Sequence, residues 1–152
     1  MKVREMMTTD VRTCRADTSL AEAVRLMWEK DCGVLPVVTA DGKVSGMITD
    51  RDICVALATQ GRTADRIAVR EVAHRPHVCT CLASDATTTA LQTMQENQVH
   101  RLPVVDDEGH LQGIVSLNDI ATHKGAANAT QITTALAGIC ERPPSIVAPS
   151  AA

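Results

Sequence analysis

One short pattern that could do chemistry occurs twice: a glycine, two residues, a hydroxyl residue, two residues and an aspartate. The copies end at Asp52 and Asp119, and their hydroxyl residues are Thr49 and Ser116. A helix that begins at the hydroxyl offers free N–H groups and a positive dipole end to a phosphate. The acid one turn later can accept hydrogen bonds from a ribose diol, and the glycine lets a ligand approach the backbone. The same spacing is that of a helix capping box, which needs no ligand, so both interpretations stay open.

The two copies belong to a longer internal repeat. Residues 35–53, LPVVTADGKVSGMITDRDI, correspond to residues 102–120, LPVVDDEGHLQGIVSLNDI. The match continues upstream without a gap, so the repeat fills nearly the whole chain. Two similar units of this size are expected to pack together, each covering the apolar face of the other. We therefore divide the chain into repeat one (1–68), repeat two (69–124) and a C-terminal helix with a disordered tail (125–152).

Each repeat predicts the order strand, helix, strand, strand, helix, which is an α/β (α+β) fold with pseudo-twofold packing. In repeat one, Asp17–Ser19 supplies N-caps ahead of apolar residues at helical spacing. Two strands around Asp41 and the following glycine predict a hairpin, and a second helix follows the hydroxyl residue. After the second repeat, Ile132, Leu136 and Ile139 share one helical face and predict an added helix.

The composition excludes several classes of function. The formal net charge is −3, and the chain has no Phe, no Tyr and one Trp. Neither electrostatic binding of nucleic acid nor base stacking on aromatic side chains is therefore expected. No apolar run approaches the roughly 18 residues of a membrane span, and the charged N-terminus lacks the apolar stretch of a secretory signal. We expect a cytoplasmic protein without membrane contacts, and no nucleophile–base or acid–base pair points to an enzyme.

The order of elements, the LPVV strand and the G-x-x-[ST]-x-x-D ending resemble the CBS domain, named for cystathionine beta-synthase. Two in tandem resemble a CBS pair, or Bateman module, over residues 1–124. The TDRDI run at 49–53 and the ALAGIC run at 135–140 are similar to stand-alone bacterial members, including a hypoxic response protein. The resemblance implies a regulatory homodimer that binds an adenosine-containing ligand between its repeats and signals to an effector protein. It implies AMP, ADP or ATP first, with S-adenosylmethionine, NAD or zinc less favoured.

The resemblance also implies which residues bind the nucleotide. The family's ribose-binding acid and its hydroxyl fall on the aspartates and hydroxyls of the repeated pattern. In repeat two, His100 and Arg101 resemble the gamma subunit of AMP-activated protein kinase, where such residues meet phosphates. Repeat one has Gly33 and Val34 there, which disfavours two equivalent sites, so we expect the aspartate of repeat two to matter more. The candidate nucleotide-binding residues are Thr49, Arg51, Asp52, His100, Arg101, Ser116 and Asp119.

Cysteine and histidine residues support a weaker hypothesis. If their segment is extended, His77, Cys79 and Cys81 share one face and could ligate a metal. In the repeat alignment, however, Cys79 falls on a surface position of repeat one, which favours ordinary packing. If any disulfide forms, we expect Cys14 with Cys140, because the ends of a compact chain often lie close together. A reducing cytosol disfavours any disulfide.

Three classes of function therefore remain: a nucleotide sensor, a ligand-free dimerisation scaffold, and a redox or metal sensor. In a dimer of the resembled kind, the second helices of both repeats are expected to face the partner. These helices are predicted near Asp50–Thr59 and Leu117–His123. Two such pairs would form a flat disc of four repeats.

Overall fold

The two halves of the chain have similar arrangements of helices and strands. The computed structural model describes residues 1–73 and 78–141; the predicted tail, at 142–152, lies outside this part. The first half contains α1 (Leu20–Glu29), β1 (Val34–Val38), β2 (Val44–Thr49) and α2 (Asp50–Gln60). The second half contains β3 (Cys81–Leu82), α3 (Thr87–Glu96), β4 (Arg101–Val105), β5 (Leu111–Ser116) and α4 (Leu117–Thr122), and α5 (Ala129–Cys140) follows. The predicted fold class is confirmed. The predicted order of elements is complete in the second half, whereas in the first half the leading strand is reduced to a single parallel bridge between Cys14 and Val37.

Short polar segments set the ends of these elements. Ser19 is the N-cap of α1, and its side-chain oxygen accepts a hydrogen bond from the Glu22 N–H at 3.2 Å. The two hairpins turn at Gly42 and Gly109, whose φ angles of 86° and 90° favour glycine. The turns meet, because the Val44 N–H donates to the Gly109 carbonyl at 3.0 Å. Within the described ranges, no helix is long and apolar enough to cross a membrane.

The two hairpins share one register, and this register places the repeated pattern. In the antiparallel pair β1–β2, Val34 lies opposite Thr49; in β4–β5, Arg101 lies opposite Ser116. The hydroxyl residue at the start of the second helix of each half therefore lies opposite the first residue of the first hairpin strand, β1 or β4. Strand β3 runs parallel to β4 and extends the second sheet to three strands.

Each half has its own apolar core, and each core includes a segment from beyond the repeat boundary. Val3 is fully buried in the core of the second half, whereas Val69 is fully buried in the core of the first. Both begin a Val-Arg-Glu turn with equivalent bonds: the Val3 N–H donates to the Asp85 carbonyl at 3.0 Å, and the Val69 N–H to Thr18 at 2.8 Å. The two cores therefore do not coincide with the two sequence repeats, because each core contains a valine from the other repeat. The boundaries at 68 and 124 stay a prediction about sequence units.

Helix α5 packs against α3. Ala135 and Ile139, one turn apart, are buried in the second core. The predicted C-terminal helix is therefore confirmed, but its predicted apolar face is partly wrong. Ile132 is half-buried and Leu136 is 44% exposed, because the face toward α3 is centred on the 135/139 row.

Candidate functional site

Each copy of the repeated pattern forms a complete capping box. Asp52 Oδ2 accepts hydrogen bonds from the Thr49 hydroxyl at 2.7 Å and the Thr49 N–H at 3.0 Å, and the Asp52 N–H donates to the Thr49 hydroxyl at 3.1 Å. Ser116 and Asp119 repeat these bonds at 2.7, 2.8 and 3.1 Å. In both boxes the carboxylate uses only Oδ2, so Oδ1 takes no part in the cap. Capping a helix and binding a ligand are therefore compatible roles for these half-buried aspartates.

The first cleft lies between the cap of α2 and the start of β4, so both repeats build it. Its volume is about 180 Å³. This is below the roughly 300–1,000 Å³ usual for ligand pockets, so a nucleotide would extend beyond it. Most of the lining is apolar. The lining residues are Val34, Met47, Thr49, Asp52, Val78, Cys79, Gln98, Val99, His100, Arg101 and Pro103.

The second cleft is related to the first by the internal repeat, but it is more charged. Its volume is about 340 Å³. Lys30 donates a hydrogen bond to Asp10 at 2.5 Å, and this bond and the charge of Lys30 hold the pKa of Asp10 below its usual value. The charges of Lys30 and Asp10 in the lining therefore partly neutralise each other. The lining residues are Thr8, Asp10, Val11, Arg12, Lys30, Asp31, Cys32, Val34, Arg101, Ile114, Ser116 and Asp119.

Two blocks of the chain, residues 3–59 and 69–125, match the family model described as the CBS domain. The chain belongs to the CBS domain family. The CBS domain-containing protein YhcV of Bacillus subtilis is 34% identical over 127 residues, which cover 80% of this chain and 84% of YhcV. Several other curated relatives are longer, and the chain spans 23% to 25% of their length.

Solved structures of CBS pairs share this fold. The crystal structure of Hypoxic Response Protein I with two coordinated zinc ions is 32% identical, with a TM-score of 0.73 over 81% of this chain and 98% of that one. The CBS domain pair of protein MJ0100, in complex with 5′-methylthioadenosine and S-adenosyl-L-methionine, is 27% identical. Its TM-score is 0.71 over 80% of this chain and 93% of that one.

The first cleft of this CBS pair combines candidate residues of both repeats, whereas the second groups Arg101 with Ser116 and Asp119 of its own repeat. His100 lines the first cleft together with Asp52, not the second cleft with Asp119. Arg101 borders both clefts because it lies opposite Ser116 in the sheet. Our expectation that the aspartate of repeat two matters more relied on its sharing a repeat with the His-Arg pair. The structure places Arg101 in the clefts of both aspartates but His100 only in the cleft of Asp52. Arg51 is exposed, and it is not among the described residues that line the two clefts.

The two CBS repeats differ at the position before the first hairpin strand. A Cβ on Gly33 would lie 2.7 Å from Asp50 Oδ2, so the Asp50 carboxylate fills the space that a side chain would need there. Repeat two has His100 and Leu117 at these places. The backbone hydrogen bond is the same in both repeats: the Leu117 N–H donates to the His100 carbonyl at 2.9 Å, and the Asp50 N–H donates to the Gly33 carbonyl at 3.0 Å. The second cleft therefore has no counterpart of His100 from this position.

The glycines of the repeated pattern have a different role from the one expected. At Gly113 the close approach is made by the protein itself: a Cβ there would lie 2.6 Å from the Thr8 carbonyl oxygen. Thr8 and Ile114 exchange two backbone hydrogen bonds of 2.9 Å at this point. At Gly46 the nearest atom to a built Cβ is the Val37 Cβ, at 3.4 Å. The N-terminal segment, not a ligand, is therefore what requires Gly113.

The candidate metal ligands that the structure describes, Cys79 and Cys81, differ in burial. His77 lies outside the described residues. Cys79 is half-buried and lines the first cleft, whereas Cys81 is buried in the second core. Burial, with a smaller effect of the Asp85 charge, raises the pKa of Cys81 to about 12, which disfavours the thiolate that binds metals. Over residues 1–73 and 78–141, no group of three or more His, Cys, Asp or Glu could hold a metal ion. A metal at His77 stays a prediction.

The structure does not place the two cysteines of the expected disulfide in one cluster. Cys14 is buried in the first core and its thiol points to the Pro36 carbonyl at 3.9 Å. Cys140 is exposed at the end of α5, which packs against the second core. Both are free thiols here. The Cys14–Cys140 pairing stays a prediction.

Thiol reactivity should separate the cysteines by burial. Burial raises the pKa of Cys14 to about 11, so at pH 8 both Cys14 and Cys81 stay protonated and shielded. We expect maleimide to modify the exposed Cys140 first. Cys14 and Cys81 should react only when denaturant is added. Peptide mass mapping over time measures this order, and equal rates for Cys14 and Cys140 in the native protein would contradict it.

Sequence reasoning missed most of the apolar lining of the first cleft, including Met47, Val78 and Val99. It also missed the charged lining of the second, such as Arg12 and Lys30. The repeat alignment held a usable signal, because Val78 and Cys79 correspond to Val11 and Arg12, and each pair lines one cleft.

Proposed function

We propose that the chain is a regulatory, non-catalytic CBS pair that binds an adenosine-containing ligand in the first cleft and, as a homodimer, signals to an effector protein. The observation that carries this proposal is the composition of that cleft. It joins a polar helix start, Thr49 and Asp52, with the imidazole of His100 and the cationic guanidinium of Arg101 across an apolar lining. Such a cleft offers separate surroundings for a ribose, a phosphate and a base.

The proposed orientation follows from burial. Among the residues that line the cleft, Asp52 is half-buried, whereas His100 and Arg101 are exposed. The ribose diol would hydrogen-bond to Asp52 Oδ1, and the base would contact the apolar lining. A cleft of about 180 Å³ leaves the phosphates at the mouth, within reach of the guanidinium.

The ligand class has support from a relative and from charge. The MJ0100 pair, at 27% identity, was solved with two adenosine-containing compounds. Arg101 favours an anion, whereas the sulfonium of S-adenosylmethionine carries a positive charge. We therefore propose AMP, ADP or ATP ahead of S-adenosylmethionine. Because both repeats line the cleft, a bound nucleotide would fix one repeat against the other, and an effector protein could detect that change.

Isothermal titration calorimetry with AMP, ADP, ATP, NAD, adenosine and S-adenosylmethionine tests the proposal. We expect the phosphate-bearing adenosine compounds to bind most tightly and to lose affinity as salt is added, because salt screens the contact between Arg101 and phosphate. A ligand at 100 times its Kd should add about 2.7 kcal/mol to the free energy of unfolding. If no adenosine compound binds at millimolar concentration, the ligand-free scaffold becomes the better hypothesis.

Arg101→Ala should weaken AMP binding about tenfold or more, because a hydrogen bond to a charged group contributes roughly 1.5–3 kcal/mol. Arg51→Ala is the matched control, since Arg51 is equally cationic and exposed but is not among the residues that line the two clefts. Adenosine, which has no phosphate, should bind the wild type and Arg101→Ala alike. Calorimetry gives all the affinities. Equal losses for AMP in the two variants would contradict the assignment of Arg101 to the phosphate.

A further inference from the structure

A segment that crosses from one sheet to the other contributes to the lining of the second cleft. At its start, Thr8 is bonded to Ile114 of β5, and at its end Cys14 is bonded to Pro36 and Val38 of β1. These backbone hydrogen bonds are 2.9 to 3.0 Å long, so both ends of the crossing segment, residues 8–14, are fixed. Its residues in the cleft lining are Thr8, Asp10, Val11 and Arg12.

One ion pair connects the crossing segment to α1. Lys30, the C-cap residue of α1, donates a hydrogen bond to Asp10 Oδ2 at 2.5 Å, and both residues line the second cleft. The side chain of Asp10 is 80% exposed, so the pair contributes little to stability. The hydrogen bond and the charge of Lys30, with a smaller effect of the Arg12 charge, lower the pKa of Asp10. At neutral pH, Asp10 is therefore a carboxylate next to two cations of the cleft.

Lys30 has no charged counterpart in repeat two. The repeat alignment places Asn97 there, and its side-chain amide donates to the Thr93 carbonyl of α3 at 2.8 Å. Asn97 is not among the described residues that line the first cleft. The counterpart of Asp10 is His77, which lies outside the described residues. A cation at the end of the first helix is therefore a feature of the second cleft.

The charged groups of the second cleft are evenly balanced. A phosphate would be attracted by the ammonium and guanidinium groups and repelled by the carboxylates, and the removal of one carboxylate would leave an excess of positive charge. The cations of the lining are Arg12, Lys30 and Arg101, and its carboxylates are Asp10, Asp31 and Asp119.

We propose that Asp10 is a specificity-determining residue that excludes phosphate-bearing ligands from the second cleft by occupying Lys30 and neutralising its charge. A phosphate that bound Lys30 would have to displace the carboxylate or lie beside it, and like charges at that distance repel. The inference rests on the proposed function, because it explains why nucleotide is bound in the first cleft alone. It makes the second cleft a site that a change at one exposed residue would open.

Isothermal titration calorimetry with ADP counts the nucleotides bound per chain. The wild type should bind one ADP at up to millimolar concentration, and Asp10→Asn should bind two, because the amide keeps the shape of the side chain without its charge. The matched control is Asp17→Asn, which removes an exposed carboxylate from an ion pair with Arg15. Asp17 is not among the residues that line the two clefts, so this variant should bind one ADP.

A double variant assigns the second ADP to its site. Adding Lys30→Gln to Asp10→Asn should return the stoichiometry to one, because the ammonium that Asp10 occupied is then gone. A wild type that binds two ADP, or an Asp10→Asn variant that binds no more than the wild type, would overturn the role of Asp10.

The same titrations separate this inference from the proposed function. If the wild type binds no ADP while Asp10→Asn binds one, and Lys30→Gln abolishes that binding, the first cleft is not the nucleotide site but the role of Asp10 is supported. One ADP bound by both the wild type and Asp10→Asn would support the proposed function and overturn the role of Asp10. No binding by either protein would overturn both.

Discussion

Asp52→Asn should weaken nucleotide binding by at least tenfold while the ligand-free protein melts only a few degrees lower. The amide oxygen of Asn can accept the two cap bonds from Thr49 that now reach Asp52 Oδ2. The cost to the cap is therefore about 1 kcal/mol or less. The bonds that the free carboxylate oxygen would make to a ribose diol are charge-assisted, and each contributes roughly 1.5–3 kcal/mol. Calorimetry and thermal melting of the same preparation measure both effects.

Asp119→Asn is the matched control for this experiment. Its capping box has the same three bonds, so the melting temperature should fall equally. Its cleft lacks His100, so the loss of nucleotide affinity should be smaller than for Asp52→Asn. If both variants bind the nucleotide like the wild type and melt lower by the same amount, the repeated pattern serves only as a helix cap. The scaffold hypothesis would then be preferred.

Gly113→Ala should lower the free energy of unfolding by about 2–4 kcal/mol. The added Cβ would lie 2.6 Å from the Thr8 carbonyl oxygen, which is a backbone atom held by two hydrogen bonds to Ile114. Relieving the overlap displaces the N-terminal segment and weakens those bonds, in addition to the usual cost of overpacking. For a chain of this length the melting temperature should fall by roughly 5–15 °C.

Gly46→Ala makes the same change at the equivalent position of repeat one. The nearest atom to its Cβ would be a Val37 side-chain carbon at 3.4 Å, which is ordinary contact. Its effect should stay within about 1 kcal/mol, with a small gain from the lower entropy of the unfolded chain. Denaturant unfolding of the two variants gives the difference. Equal destabilisation would contradict the view that the N-terminal segment is what requires Gly113.

Much of the fold could be predicted from the sequence because its signals are local. Ser19 as an N-cap, the turn glycines and the apolar spacing of α1 each act over a few residues, and the internal repeat supplied every element twice. The two capping boxes were predictable for the same reason: a hydroxyl and an acid three residues apart meet within one turn of helix.

The pairing across repeats could not be predicted in this way. The sequence groups His100 with Asp119, whereas the cleft groups it with Asp52, because the pseudo-twofold packing turns the start of each helix toward the other repeat. The contact of Thr8 with Gly113 likewise joins distant parts of the chain. The exposure of Leu136 depended on how α5 is rotated against α3, and a helical apolar pattern alone leaves that rotation undetermined by tens of degrees.

The exchanged Val-Arg-Glu turns affect the order in which the chain can fold as it is synthesised. Residues 69–73 leave the ribosome soon after repeat one, so the first core can close before the second half has been made. Val3 can be buried only later, because its core is built from residues that lie between Cys81 and Ile139. The N-terminal segment must therefore remain unpaired throughout most of translation. Val3 is therefore synthesised long before the core in which it is buried.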